Sequence, residues 1–309
     1  MEKIDLGKSG LHASAISLGL MRMAGMELKD ATQVVRTSID AGIDFFDHAD
    51  IYGRGESEIL FAKAVKEAGI KREEMIIQSK CAIRPMADLG LTTYDFSKEH
   101  ILGSVDAALE RLQTDYLDVL LLHRPDTLME PEEVAEAFDK LKSTGKVKHF
   151  GVSNFTPMQI EFLQNSLDMK LIANQLQVGL MHTTMVDRGV FANRNETFAT
   201  DRSGDILEYT RLKNITIQAW SPFTSPKGIF IDNPEYKELN DYMTQLAGEY
   251  NVSTNAIATA WILRHPAKMQ VIIGTMTPER ISDIVKADGV KLTREQWYML
   301  YKKAGIVLP

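Results

Sequence analysis

The chain has 309 residues, 44% of them hydrophobic and 25% charged, with a net charge of −7. Such a composition can bury a large core and argues against a disordered chain. No basic run offers phosphate contacts along a nucleic acid, no stretch nears the roughly 20 apolar residues that cross a bilayer, and one cysteine, Cys81, can form no internal disulfide. The opening MEKIDLGKSG lacks the apolar centre of a secretory leader. The expectation is therefore a cytosolic protein with neither nucleic acid nor membrane as partner.

In chain order, a short hairpin or cap comes first. ISLGL (16–20) is the first expected strand, and KDATQVVRTSIDAG (29–42) a helix closed by glycine. Further strand-like runs follow at FFDHA (45–49), MIIQSK (75–80), DVLLLH (118–123), HFGVSN (149–154), NQLQVGL (174–180), TIQAWSPF (216–223) and QVIIG (270–274). The segments between them carry apolar residues at helical spacing, as in KEHILGSVDAALERLQ, where Ile101, Leu102, Val105, Ala108, Leu109 and Leu112 form one stripe. The strands are short, β-branched or leucine-rich and mostly not alternating, the pattern of parallel strands covered on both faces. Eight strand-then-helix repeats predict an α/β fold of the (β/α)8 TIM-barrel type, one domain over 1–309, with an open doubly wound sheet as the competing topology. TREQWYMLYKKAG (293–305) adds a last helix. Two connections, 181–205 and 223–235, exceed the usual loop length, and loops this long tend to be lids, binding segments or insertions.

In a parallel barrel all strand carboxyl ends open on one face, and that face carries the active site. The second strand runs into Asp47 and, five positions on, Tyr52; the third ends at Lys80 and the fourth at His123. The fifth ends at Ser153 and Asn154, the seventh at Trp220 and Ser221, the eighth at Gly274 and Thr275. A phenol is a poor acid near neutrality, with a pKa of about 10, and a neighbouring ammonium held by a carboxylate would make it a better proton donor. Tyr52, Lys80 and Asp47 can fill those places, with His123 on a carbonyl oxygen. Such a set suits protonation of a carbonyl as hydride reaches its carbon, which requires a cofactor.

Taken in order, LGKSGLHASAISLGLMRM, GIDFFDHADIYG, IIQSK, LLLHRPD, HFGVSNF, NQLQ, QAWSPF and IIGTMTPERI resemble the aldo-keto reductase superfamily along essentially the whole chain. The resemblance implies reduction of an aldehyde or ketone with NADP(H), with Tyr52 as proton donor, Lys80 and Asp47 tuning it and His123 orienting the carbonyl. It implies that Ser153, Asn154 and Gln175 hold the nicotinamide carboxamide, that Trp220 stacks on the ring and that Ser221 approaches the pyrophosphate. Arg280 and Thr275 would meet the adenosine 2′-phosphate, Asp283 the adenine amine, and Arg22 the cofactor phosphates. Gly274 stands where much of the superfamily has lysine, so one cation is absent there; NADP(H) is still expected over NAD(H). GRGESE (53–58) is a broken GxGxxG after the second strand and is not read as a dinucleotide loop.

Each assignment has a plainer counterpart. Asp47 alone could cap a turn, Tyr52 could pack, Lys80 could be an edge charge, His123 a wall histidine and Trp220 core. Ser153 and Asn154 could cap the helix beginning TPMQIEF while facing the pocket. His48 and Asp50 read as structural, and Cys81, pointing away from Lys80 along the strand, as core. The histidines lack ligand spacing such as HExxH, so no metal is expected. Two other functions stay open: a lyase with Lys80 as Schiff-base former, and a non-catalytic regulatory subunit that senses the cofactor. The sequence does not identify the carbonyl substrate or the oligomeric state.

Overall fold

The computed structural model describes residues 1–195, 197–200 and 204–309. Eight parallel strands, β1 (Ile16–Gly19), β2 (Phe45–Asp47), β3 (Ile76–Cys81), β4 (Leu117–Leu122), β5 (Val147–Ser153), β6 (Leu171–Gln177), β7 (Thr216–Trp220) and β8 (Gln270–Ile273), form a closed barrel in chain order. Pairing of Val271 with Ile16 joins β8 to β1. That closure overturns the open-sheet alternative, because no strand edge is left. β4 is buried along its whole length, as a strand between a filled interior and a helical coat must be.

The sequence periodicity sets the coat. The helix Lys98–Leu112 buries Ile101, Val105, Ala108, Leu109 and Leu112 and starts where the Ser97 hydroxyl accepts the His100 N–H. The helix Pro157–Gln164 starts at Thr156, whose capping box with Gln159 displaces the expected Ser153 or Asn154 cap. The reason is local: the Ser153 hydroxyl donates to the Gln175 carbonyl instead.

Two apolar layers result. One lies between strands and helices. A smaller one fills the lower interior, where Phe45, Val119, Leu121 and Ile172 meet Ile4, Leu6 and Ala13 of the amino-terminal hairpin, Lys3–Asp5 paired with His12–Ser14. The expected last helix, Arg294–Lys303, docks through Trp297 on Trp261, stacked at 4.8 Å, and each indole N–H donates to the other residue's carbonyl.

Both long connections carry regular structure of their own. Within 181–205 the helix Thr184–Val190 buries Asp187, whose carboxylate accepts hydrogen bonds from Thr183 and from Tyr301 of the last helix. Residues 196 and 201–203 of that segment lie outside the described residues. The 223–235 segment contains a small ribbon, Thr224–Ser225 with Gly228–Ile229. A further hairpin, Ile83–Met86 with Leu91–Tyr94, follows β3. The sequence reading missed it because Pro85 and the single-turn length give no strand periodicity.

Neighbouring strands approach closely at Gly151 on β5, where an added Cβ would lie 2.7 Å from both the Ala173 carbonyl oxygen and Leu121 Cδ2. Gly151→Ala is expected to lower stability by about 1–3 kcal/mol, read as a lower denaturant midpoint.

Candidate active site

Polar groups replace apolar ones in the upper barrel interior. Asp47 Oδ1 accepts from Gln78 Nε2 at 2.6 Å and Gln175 Nε2 at 3.0 Å. Both amides also donate to Gln218 Oε1, Gln218 Nε2 donates to Gln270 Oε1 at 2.8 Å, and Gln270 donates to the Ser14 carbonyl. The barrel register aligns this column, pairing Asp47 with Gln78 and Gln175 with Gln218. Every side chain in it is buried and bonded, as burial of amides demands.

On this column stands a buried ion pair. Lys80 Nζ donates to Asp47 Oδ2 at 2.8 Å, to the His48 carbonyl at 2.7 Å and to the Tyr52 hydroxyl at 3.2 Å. The lysine side chain is fully enclosed. Burial pulls its pKa down, but Asp47 and Tyr52 outweigh burial and raise it, so Lys80 is an ammonium. Tyr52 is raised above 10 by burial, against the pull of Lys80; it is a neutral phenol facing the cavity. The His123 ring lies edge-on to Tyr52, centroids 6.1 Å apart. Burial, Lys80 and Arg124 push its pKa down to about 2. It is a neutral imidazole whose Nδ1 is buried without a partner.

The cavity above these groups, about 880 Å³, is lined by Asp47, Tyr52, His123, Ser153, Asn154, Gln175, Trp220, Ser221, Gly274, Thr275, Arg280 and Arg22. Thus the expected residues converge, Asp283 excepted. Lys80 sits behind Tyr52 rather than in the wall. Asp283 is not in the lining, and its carboxylate is held by Lys286 at 2.7 Å. Asn154 adopts φ 63° and Ser221 φ 48°, left-handed backbone rare outside glycine. Asn154 Nδ2 donates to Ser153 Oγ and to the His123 carbonyl, and Trp220 Nε1 donates to Asn154 Oδ1, so the rim residues fix one another.

Gly274 gains a meaning that the sequence alone did not show. A Cβ there would lie 2.8 Å from the Arg22 guanidinium, which donates to the Gly274 carbonyl at 3.1 Å. A cation from the end of β1 thus occupies the space that a side chain at 274 would take. Among the expected specificity segments, 223–235 contributes Phe223, Thr224, Ile229 and Ile231, whereas no described residue of 181–205 lines the cavity. Met21, Ile51, Ile83, Arg124 and Asn255 are lining residues not singled out in the sequence; their positions just past strand or helix boundaries were the available signal. Among the described residues no cluster of His, Cys, Asp or Glu is placed to hold a metal ion.

The residues read as structural form a second buried layer behind the ion pair. His48 packs on Phe61 with both ring nitrogens unpartnered, and burial, then Lys80, pushes its pKa down to about 3. Glu58 is held by Ser79 and Arg111. Burial raises the thiol pKa of the enclosed Cys81 well above its usual value.

The fold and this arrangement place a candidate active site at the mouth of a (β/α)8 barrel, and comparison with known proteins gives the family. The model of the Aldo/keto reductase family matches residues 15–304. Oxidoreductase YdhF of Escherichia coli is 34% identical over 309 residues, 98% of each chain. A 6-dehydroglucose reductase of Agrobacterium fabrum is 34% identical over 312 residues, again 98% of each. The crystal structure of an aldo-keto reductase from Klebsiella pneumoniae in complex with NADPH superposes with a TM-score of 0.77 at 22% identity, over 97% of this chain and 94% of that one. The chain belongs to the Aldo/keto reductase family.

Asp50 supplies a pH test of the buried layer. Burial first, and then Glu58, raise its carboxyl to about 7, against Arg111 and Lys80. Because the folded pKa lies above the unfolded one, the stability from the neutral acid is present at low pH and lost as pH rises through about 7. Asp50→Asn should remove that loss: its melting temperature relative to wild type is expected to be higher at about pH 8.5 than at about pH 5.5.

Proposed function

We propose that the protein, acting as one barrel domain, is an NADP(H)-dependent reductase of aldehydes or ketones, with Tyr52 as the proton donor. The observation that carries this reading is the Tyr52 hydroxyl 3.2 Å from an ammonium held by Asp47, at the floor of a cavity. The residues present fit the cofactor: the Ser153 hydroxyl and Asn154 amide fixed at the rim, the Trp220 indole, and Arg22 and Arg280 in the same wall. When bound there, NADPH would supply the hydride that reaches the carbonyl carbon.

The chain's own groups do the rest. The neutral imidazole of His123 donates an N–H to the carbonyl oxygen and positions it by Tyr52. Tyr52 gives its proton to that oxygen, and Lys80 stabilises the phenolate left behind. Asp47 keeps Lys80 charged and aimed, while the glutamine column fixes Asp47. Ser153, Asn154 and Gln175 would hold the carboxamide, Trp220 would stack on the nicotinamide, and Ser221 would approach the pyrophosphate. Thr275 and Arg280 would take the 2′-phosphate, with Arg22 supplying the cation that Gly274 lacks, which favours NADPH over NADH. Asp283, paired with Lys286, is left for the adenine amine.

A Schiff-base role for Lys80 fits the geometry less well. An amine whose three donors are engaged, one of them by a carboxylate, has no free lone pair for attack on a carbonyl.

The test is NADPH and NADH consumption with aromatic aldehydes, dicarbonyls and hexose-derived aldehydes, the last because one relative is a 6-dehydroglucose reductase. Tyr52→Phe is expected to lose at least about 100-fold in kcat while still binding NADPH; full retained turnover would remove Tyr52 from its role. Arg280→Ala is expected to raise the KM for NADPH relative to that for NADH by about ten-fold, measured by initial rates.

A further inference from the structure

The cavity reverses the sign of the chain around it. The protein carries a net charge of −7, yet the lining holds three arginines, Arg22, Arg124 and Arg280, against Asp47 and Asp232. Asp47 is consumed by Lys80 and the amide column, so the mouth is locally positive.

The three cations divide by position. Arg22 and Arg280 follow β1 and β8, neighbours in the barrel, and serve the end where the cofactor phosphates would lie. Arg124 follows β4, half-way round the barrel from β8, and cannot serve the same anion. It stands directly after His123, and its charge opposes protonation of that ring. Its side chain is exposed, with no hydrogen-bond or ion-pair partner among the described residues. The nearest acid in its own loop, Asp126, is occupied by the backbone N–H groups of Phe96 and Leu128, at 3.1 and 2.9 Å. The open Asp232 follows β7, three strands away.

Beside Tyr52 and His123 the lining includes two apolar side chains, Ile51 and Ile83. Ile51, Ile83 and Arg124 follow β2, β3 and β4, consecutive strands, so they form one continuous wall beside the phenol. A carbonyl compound seated on Tyr52 and His123 can lay an apolar body along Ile51 and Ile83 and bring its far end to the guanidinium. A planar fork of donors matches a carboxylate there better than any neutral group.

Resting on the reductase reading above, we propose that Arg124 is a specificity-determining residue that binds a carboxylate on the substrate, so that the protein's substrates are carbonyl acids whose anion and carbonyl are separated by an apolar spacer.

The experiment compares 4-carboxybenzaldehyde with its methyl ester, which has the same carbonyl and spacer without the charge. With NADPH, wild type is expected to favour the acid by about ten-fold in kcat/KM, with the difference in KM. Arg124→Gln should bring the acid-to-ester ratio close to one, Arg124→Lys should restore part of it, and added salt should raise KM for the acid more than for the ester. Equal handling of the pair by wild type, or an acid preference that survives in Arg124→Gln, overturns the proposal. The reductase reading fails only if no member of the wider carbonyl panel consumes NADPH; if these two aldehydes are not turned over, calorimetric binding of 4-(hydroxymethyl)benzoate to the NADPH-loaded protein reads the anion site by itself. Binding lost in Arg124→Gln supports the site, and binding that is absent in wild type or unchanged in the variant overturns it.

Discussion

The structure turns on a charge placed where water cannot reach. Lys80 and Asp47 are both enclosed by the barrel, and stripping two ions of solvent costs several kcal/mol each unless their geometry and remaining hydrogen bonds are nearly complete. The protein meets that condition from two directions. The His48 carbonyl and Tyr52 hydroxyl complete the ammonium, and two glutamine amides complete the carboxylate. Removing any one partner leaves a buried charge short of a bond, which explains why the interior above Phe45 and Val119 is built of amides rather than leucines.

That constraint propagates outward. The glutamines can align only because adjacent strands hold a fixed register, and the register is anchored below by the apolar plug under the amino-terminal hairpin. At the rim the same logic continues with neutral groups: Asn154 and Ser221 hold left-handed backbone, and Asn154 ties the end of β5 to Trp220 of β7 and to the His123 carbonyl after β4. Rigidity at the floor and wall leaves the loops after β3, β4 and β7 as the places where the cavity is individual.

Much of this was legible in the sequence, for identifiable reasons. Parallel barrel strands are short apolar runs, and β4 and β8 stand out as such; strand ends then indicated which polar side chains share one face. Asp47, Tyr52, Lys80 and His123 therefore converge as expected. What escaped detection depends on packing between distant segments. Arg22 filling the space beside Gly274 could not be read from either residue alone. The Asp50, Glu58 and Arg111 layer is assembled by helix packing behind the barrel, and the hairpin after β3 has too few residues and too irregular a pattern to announce itself. The role of the 181–205 segment was not legible in its residues; the buried Asp187 commits the helix within it to the carboxyl-terminal helix.

The distribution of indoles has an optical consequence. Of three tryptophans in the chain, Trp261 and Trp297 are stacked and buried together, while Trp220 alone borders the cavity. Emission from the stacked pair reports whether the carboxyl-terminal helix is docked, and a change confined to Trp220 reports occupancy of the barrel mouth. The molecule thus carries two separate spectroscopic reporters, one for its integrity and one for its contents.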